Sequence, residues 1–107
     1  MMNQKEFIMF VKENDLVRND LIKIIMIKQK QAKIIIEKFW KKRKFMDSRE
    51  YEKRLKDGAW NENLIDDLNI SLENLRKNKK LDVFDILFLK RYKIIDDDYE
   101  INYDLID

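Results

Sequence analysis

A chain of 107 residues, 45% hydrophobic and 41% charged, has material for one small core, so a single domain over residues 1–107 is expected. It contains no Cys, no His and no Pro, and one Gly, which excludes disulfides, thiolate zinc sites and a Gly-rich phosphate loop. The net charge of +2 conceals a split: residues 21–56 hold thirteen Lys or Arg against four acids, whereas residues 94–107 hold six acids and no base.

Lys, Ile, Asp and Leu are the commonest residues, and Lys, Leu and Glu favour helix. The expected fold is mainly α: about five helices with a helix-turn-helix-like centre. No run of 18 apolar residues exists, so no transmembrane helix is expected. Residues 1–10 lack the basic-then-apolar pattern of a signal peptide, and a cytoplasmic location is expected. Abundant Lys, Ile and Asn with scarce Ala, Gly and Pro is the bias of AT-rich codons, which points to an AT-rich bacterium, a plasmid or a phage as source.

In chain order, Asn3 can cap a first helix over 4–13, with Phe7, Phe10 and Val11 as its inner stripe. Residues 14–19 form a polar connection, and Asn19 or Asp20 can cap a second helix carrying Leu21, Ile24 and Ile25. The polar run Lys28-Gln29-Lys30-Gln31 admits two readings. Either one helix runs from 21 to about 44, or a short helix ends near Ile27 and a new one starts near Gln29. Ala32, Ile35, Ile36, Phe39 and Trp40 share one face of that segment, and such aromatic stripes usually pack inward.

Lys41 to Lys44 supply cations for the helix C-terminus. Asp47 or Ser48 can cap a short helix over 49–56. Asp57-Gly58 is the strongest turn signal; it ends that helix or closes a short β-hairpin. Asn61 can cap a further helix with Leu64, Ile65, Leu68, Leu72 and Leu75 inward and Trp60 stapling its start. Residues 76–80 connect it to an apolar segment, 81–95, suited to a central helix or an oligomer interface. Residues 96–107 form an acidic tail, either a short strand through Tyr99, Ile101 and Tyr103 or a disordered end.

The chemistry these residues allow is narrow. There is no His, Cys or Thr, and Ser48 and Ser71 are the only hydroxyl nucleophiles besides Tyr, so the parts of common catalytic mechanisms are missing and no enzyme activity is expected. The carboxylates of Asp96, Asp97, Asp98 and Glu100 could suit a hard cation, but their spacing is not that of a calcium loop. A solvated acidic tail is the expected reading, with no metal and no cofactor. A third option is a tail that imitates a polyanion, folding back on the basic segment or docking on a basic partner.

The basic segment is the main functional candidate. A helix lined with cations suits a polyanion, and nucleic acid is the commonest one. Gln29, Gln31 and Arg43 could reach base edges, while Lys28, Lys30, Lys33, Lys41, Lys42 and Lys44 would contact phosphates.

The stretch from Leu21 through Ala32, Ile35, Ile36 and Phe39 to Phe45 resembles the helix-turn-helix of winged-helix DNA-binding proteins of the plasmid, phage and chromosome-translocase type. The resemblance covers about 25 residues of the chain. It implies that Gln29, Lys30, Gln31 and Lys33 face the major groove. It also implies a wing over residues 46–60, turning at Asp57-Gly58, with Arg49, Lys53, Arg54 and Lys56 on the DNA backbone.

Two function classes follow. The leading expectation is a duplex-DNA-binding protein, a homodimer through residues 61–95, serving regulation, partition or transfer. The alternative is a non-enzymatic module that binds or inhibits a host protein through its acidic tail or helical surface.

Overall fold

The computed structural model describes residues 2–106, and among them the architecture is mainly α: four α-helices and two short 3-10 turns. Helix α1 spans Gln4–Glu13, α2 Asp15–Lys42, α3 Ser48–Arg76 and α4 Val83–Arg91. The 3-10 turns are Arg43–Phe45 and Tyr103–Leu105.

Helix α1 starts at the expected cap, the Asn3 side chain accepting from the Glu6 amide at 2.8 Å. The expected connection over 14–19 is absent. Asn14 ends α1 and caps α2 in one residue, its Oδ1 accepting from the Val17 amide at 3.3 Å. Polar residues there face water from a helix, so polarity alone did not mark a loop.

The larger correction concerns residues 21–42. They form one uninterrupted helix, without the turn that a helix-turn-helix needs. The polar run Lys28–Gln31 contains no breaker, and Gln29 is tied to α3 through its side-chain amide, which donates to the Ile65 carbonyl at 3.1 Å and to Asn69 Oδ1 at 2.8 Å. Those bonds reward a helical backbone at the point where a turn would have removed them.

No wing forms either. Asp47 caps α3 as expected, accepting from the Glu50 amide at 2.8 Å. The helix then continues through Asp57 and Gly58 to Arg76, so two expected helices and the alternative hairpin become one helix. One internal Gly costs about 1 kcal/mol of helix propensity, which packing of the surrounding turns outweighs. Asn61 is not a cap; it is buried and donates to the Asp57 carbonyl at 2.7 Å within the same helix. Trp60 packs edge-on against Tyr92, ring centroids 5.3 Å apart, instead of stapling a helix start.

Helix α4 begins in a capping box. Asp82 accepts from the Asp85 amide and Asp85 accepts from the Asp82 amide, at 2.9 and 3.0 Å. The fully buried Asp85 carboxylate also accepts from Ser71 Oγ at 2.7 Å and Asn74 Nδ2 at 3.0 Å, which fastens α4 to α3. Its burial is tolerable because it is well supplied with donors.

The acidic tail is folded. Ile95 and Ile101 form a single antiparallel bridge around a turn in which the Asp96 carboxylate accepts from the amides of Asp98 and Glu100. Tyr99 adopts positive φ (62°), a costly conformation for a bulky residue. It is held between Phe7, centroid 5.6 Å away, and the Lys90 ammonium, 3.9 Å above the ring. Tyr103 reaches the Asp20 carboxylate near the start of α2.

The main core gathers α1, the first half of α2, the second half of α3, α4 and the tail, with Leu21, Ile24, Ile25, Leu68, Leu75, Leu89 and Ile94 at its centre. The second half of α2 and the first half of α3 project beyond it as an antiparallel helical arm. The described residues accordingly measure 50 × 24 × 21 Å, with a radius of gyration of 15.8 Å against ~13 Å for a compact chain of this length.

Candidate nucleic-acid interface

The arm is held by a cluster of its own. Phe39 is buried and packs on Tyr51 at 5.6 Å across the two helices and on its neighbour Trp40 at 5.4 Å. Arg43 lies over the Trp40 ring at 4.7 Å. Of the five residues expected to point inward, Ala32 and Phe39 are buried and Ile36 is partly buried. Ile35 and Trp40 are each 46% exposed, a correction to the inward stripe. The reason is geometric: with only one partner helix, α2 buries a narrow stripe here, and residues at its edges stay wet.

The tip of the arm concentrates charge. Residues 38–56 carry nine Lys or Arg and three acids, a net +6. Among the described residues the ion pairs are Arg18 with Asp15 and Lys77 with Glu73, both outside the tip. Thus, among the described residues, Lys38, Lys41, Lys42, Arg43, Lys44, Arg49, Lys53, Arg54 and Lys56 have no carboxylate within salt-bridge distance. Phe45, 87% exposed, sits at the extreme tip among them.

The expected contact residues divide into three groups. Lys30, Gln31, Lys33, Lys41, Lys42, Arg43 and Lys44 are exposed on α2 and the turn after it, and Lys28 is partly buried. Arg49, Lys53, Arg54 and Lys56 are exposed too, but on helix α3 rather than on a wing. Gln29 is excluded as a base reader, because its amide is spent on α3.

Antiparallel pairing of the two helices also creates a groove that sequence reasoning missed. It encloses about 250 Å³ along one flank of the arm, floored by Ile35, Phe39, Met46 and Gly58 and edged by Lys38, Lys42 and Arg54 with Glu50 and Asp57. Only the pairing of helices brings Lys42 beside Arg54, and no local pattern announced it. Lys38 was legible as an outward residue between Glu37 and Phe39.

The acidic end lies at the far end of the molecule. The Tyr103–Asp20 contact places the tail near the start of α2, whereas the basic tip follows its end; Asp20 to Lys42 is 22 residues of helix or about 33 Å. The tail therefore packs against the start of α2 and does not reach the basic tip. Among the described residues no group of three or more His, Cys, Asp or Glu is arranged to hold a metal ion, and no helix is long and apolar enough to cross a membrane.

No family model, curated protein or solved structure matches this chain.

Proposed function

We propose that the chain is a small duplex-DNA-binding protein whose basic helical arm grips the phosphate backbone. The observation that carries this is the unpaired net charge of +6 over residues 38–56. Cations left without acidic partners on a projecting element are free to displace counterions from a polyanion, which is the main sequence-independent source of DNA affinity.

The dimensions limit how the arm can bind. Two packed helices are roughly 20 Å across, and the major groove is about 12 Å wide, so the arm cannot enter it whole. The outward face of α2 can approach alone. Lys30 and Lys41 lie on the side opposite Ala32 and Phe39, with Gln31 and Lys38 on the flank beside the groove. In this reading Gln31 is the residue suited to a base edge, and the lysines position the helix on phosphates. A role in regulation, partition or transfer on a plasmid, phage or AT-rich chromosome agrees with it.

Fluorescence anisotropy with a labelled random duplex tests the proposal. Micromolar or tighter binding at low salt is expected, weakening steeply as salt rises. Replacing Lys41, Lys42, Arg43 and Lys44 together by Gln should lower the slope of log affinity against log salt by about 3 to 4, near 0.9 per phosphate contact. No binding at low salt, or a slope unchanged by the four substitutions, would overturn it.

A second reading has one specific support. The ordered loop 96–100 presents exposed Asp97, Asp98 and Glu100 at the opposite end, a surface suited to a basic protein partner. Replacing these three by Asn, Asn and Gln would abolish capture of such a partner and leave binding to duplex unchanged or stronger.

A further inference from the structure

We propose that the tip of the arm stacks the Phe45 ring on an unpaired nucleobase, so that the chain recognises a junction between duplex and single strand; this rests on the DNA reading above. Phe45 ends the 3-10 turn Arg43–Phe45 and is the most exposed large apolar side chain among the described residues, 87% against 78% for Leu16. The turn is closed behind it, the Met46 amide donating to the Arg43 carbonyl at 3.4 Å. The arm's own cluster is complete without it, since Phe39 packs on Tyr51 and Arg43 covers Trp40. Among the described residues neither a ring nor a cation is stacked on Phe45.

The charges of the tip select the occupant. Residues 41–49 hold Lys41, Lys42, Arg43, Lys44 and Arg49 against one acid, Asp47. Asp47 is engaged as the cap of α3 and Arg43 with Trp40, which leaves three lysines and Arg49. Glu50 and Glu52 follow on α3, where Lys53, Arg54 and Lys56 outnumber them. An exposed flat ring among cations complements a polymer that alternates phosphates with flat apolar rings. An anionic bilayer shares the charge but not the layout: it is a plane, met by the tip alone, and Phe45 is the one apolar side chain the turn offers it. The exposed cations instead run back from the tip along both helices, through Lys38 and Lys33 on α2, with Glu37 between them, and through Lys53 and Lys56 on α3. That layout suits a strand laid along the arm.

The base must be unpaired for a simple reason. Inside continuous duplex each base face is covered by its neighbours, and opening a step for Phe45 costs the stacking that is broken. A base just beyond the end of a duplex is open on one face and accepts the ring without that cost. The lysines then lie on phosphates of the duplex while the ring covers the first unpaired base.

Fluorescence anisotropy with two labelled oligonucleotides of equal charge tests the stacking. One is a duplex of about 20 base pairs with a thymine extension of about 10 nucleotides, and the other has abasic residues in the extension. The thymine extension is expected to bind on the order of 10-fold tighter. Phe45→Ala should remove that difference and leave the affinity for blunt duplex, its salt dependence and the helical circular dichroism unchanged, while Phe45→Trp should keep the difference. 2-Aminopurine as the first unpaired base should be quenched on binding the unmodified chain and not on binding Phe45→Ala. Equal binding of the two oligonucleotides, a difference that survives Phe45→Ala, or an equal loss on blunt duplex would overturn the proposal. So would binding to phosphatidylserine–phosphatidylcholine vesicles that depends on Phe45 when the oligonucleotide difference does not. If both oligonucleotides bind equally with a steep salt dependence, the DNA reading stands and only the stacking fails. If neither binds at low salt, both fall.

Discussion

The two ends of this molecule are stabilised by different means. In the body, five segments converge on a shared core: buried Leu and Ile side chains of α2, α3 and α4 interlock with Phe7 and Val11 of α1, and the partly buried Ile101 and Leu105 of the tail pack against them. In the arm, two helices have only each other, a narrow stripe and one aromatic cluster around Phe39. A buried side chain in the body is enclosed on all sides, while one in the arm is bordered by water. The body should therefore set the global stability. The arm should open locally at lower free energy, as expected of a segment that binds ligand.

The largest effect should come from the body. Leu68→Ala, at a fully buried position, should cost about 2–5 kcal/mol in urea unfolding, through lost transfer energy and the cavity left behind. Phe39→Ala in the arm should cost less globally and act mainly on local opening, seen as faster amide exchange in residues 36–54. Equal global losses for the two substitutions would erase the distinction between body and arm.

Asp85→Ala should cost roughly 2–3 kcal/mol, because it leaves Ser71, Asn74 and the Asp82 amide without their buried acceptor. The loss should appear as release of α4 from α3, with the arm's amide exchange unchanged.

Gly58→Ala probes the opposite direction. Gly58 has helical backbone, and an added Cβ would meet nothing within 4 Å. The substitution should stabilise the arm by about 0.5–1 kcal/mol and slow its local opening. Weaker duplex binding in this variant, despite the firmer arm, would show that the groove beside Gly58 admits the ligand.

The smallest effect concerns pH. Burial, and then the hydrogen bond to Asp67, raise the Tyr92 hydroxyl above its ordinary value of 10.0. A group whose folded pKa is raised contributes stability below its unfolded pKa and loses it as pH rises toward the folded one. Stability should thus fall above about pH 10 with a component absent from Tyr92→Phe, measured by urea unfolding at pH 9 and 11. Identical pH slopes for the two proteins would remove Tyr92 as a contributor.

Much of the helical content was legible because helices declare themselves locally. Asn3 and Asp47 are capping residues that need no tertiary partner to act. The inward leucines of α3 repeat at helical spacing, and Leu64, Leu68, Leu72 and Leu75 are all buried. Where one helix ends was less legible. Asp57-Gly58 and Lys28–Gln31 carry local signals compatible with a turn, and both lie inside helices. Their conformation depends on what the opposing helix offers, such as the Ile65 carbonyl and Asn69 for Gln29.

The candidate site divides the same way. That residues 38–56 are strongly basic is a property of composition, visible in the chain itself. That Gln29 is turned inward, that Trp40 and Phe45 are left in water, and that Arg54 stands across a groove from Lys42 are properties of two helices pairing. The sequence by itself determined a helical, cation-rich chain with an acidic end, because helix propensity, capping and charge are carried by residues and their near neighbours. Only the tertiary structure decided that the basic and acidic regions stand at opposite ends of a long molecule, because that depends on which distant segments bury one another.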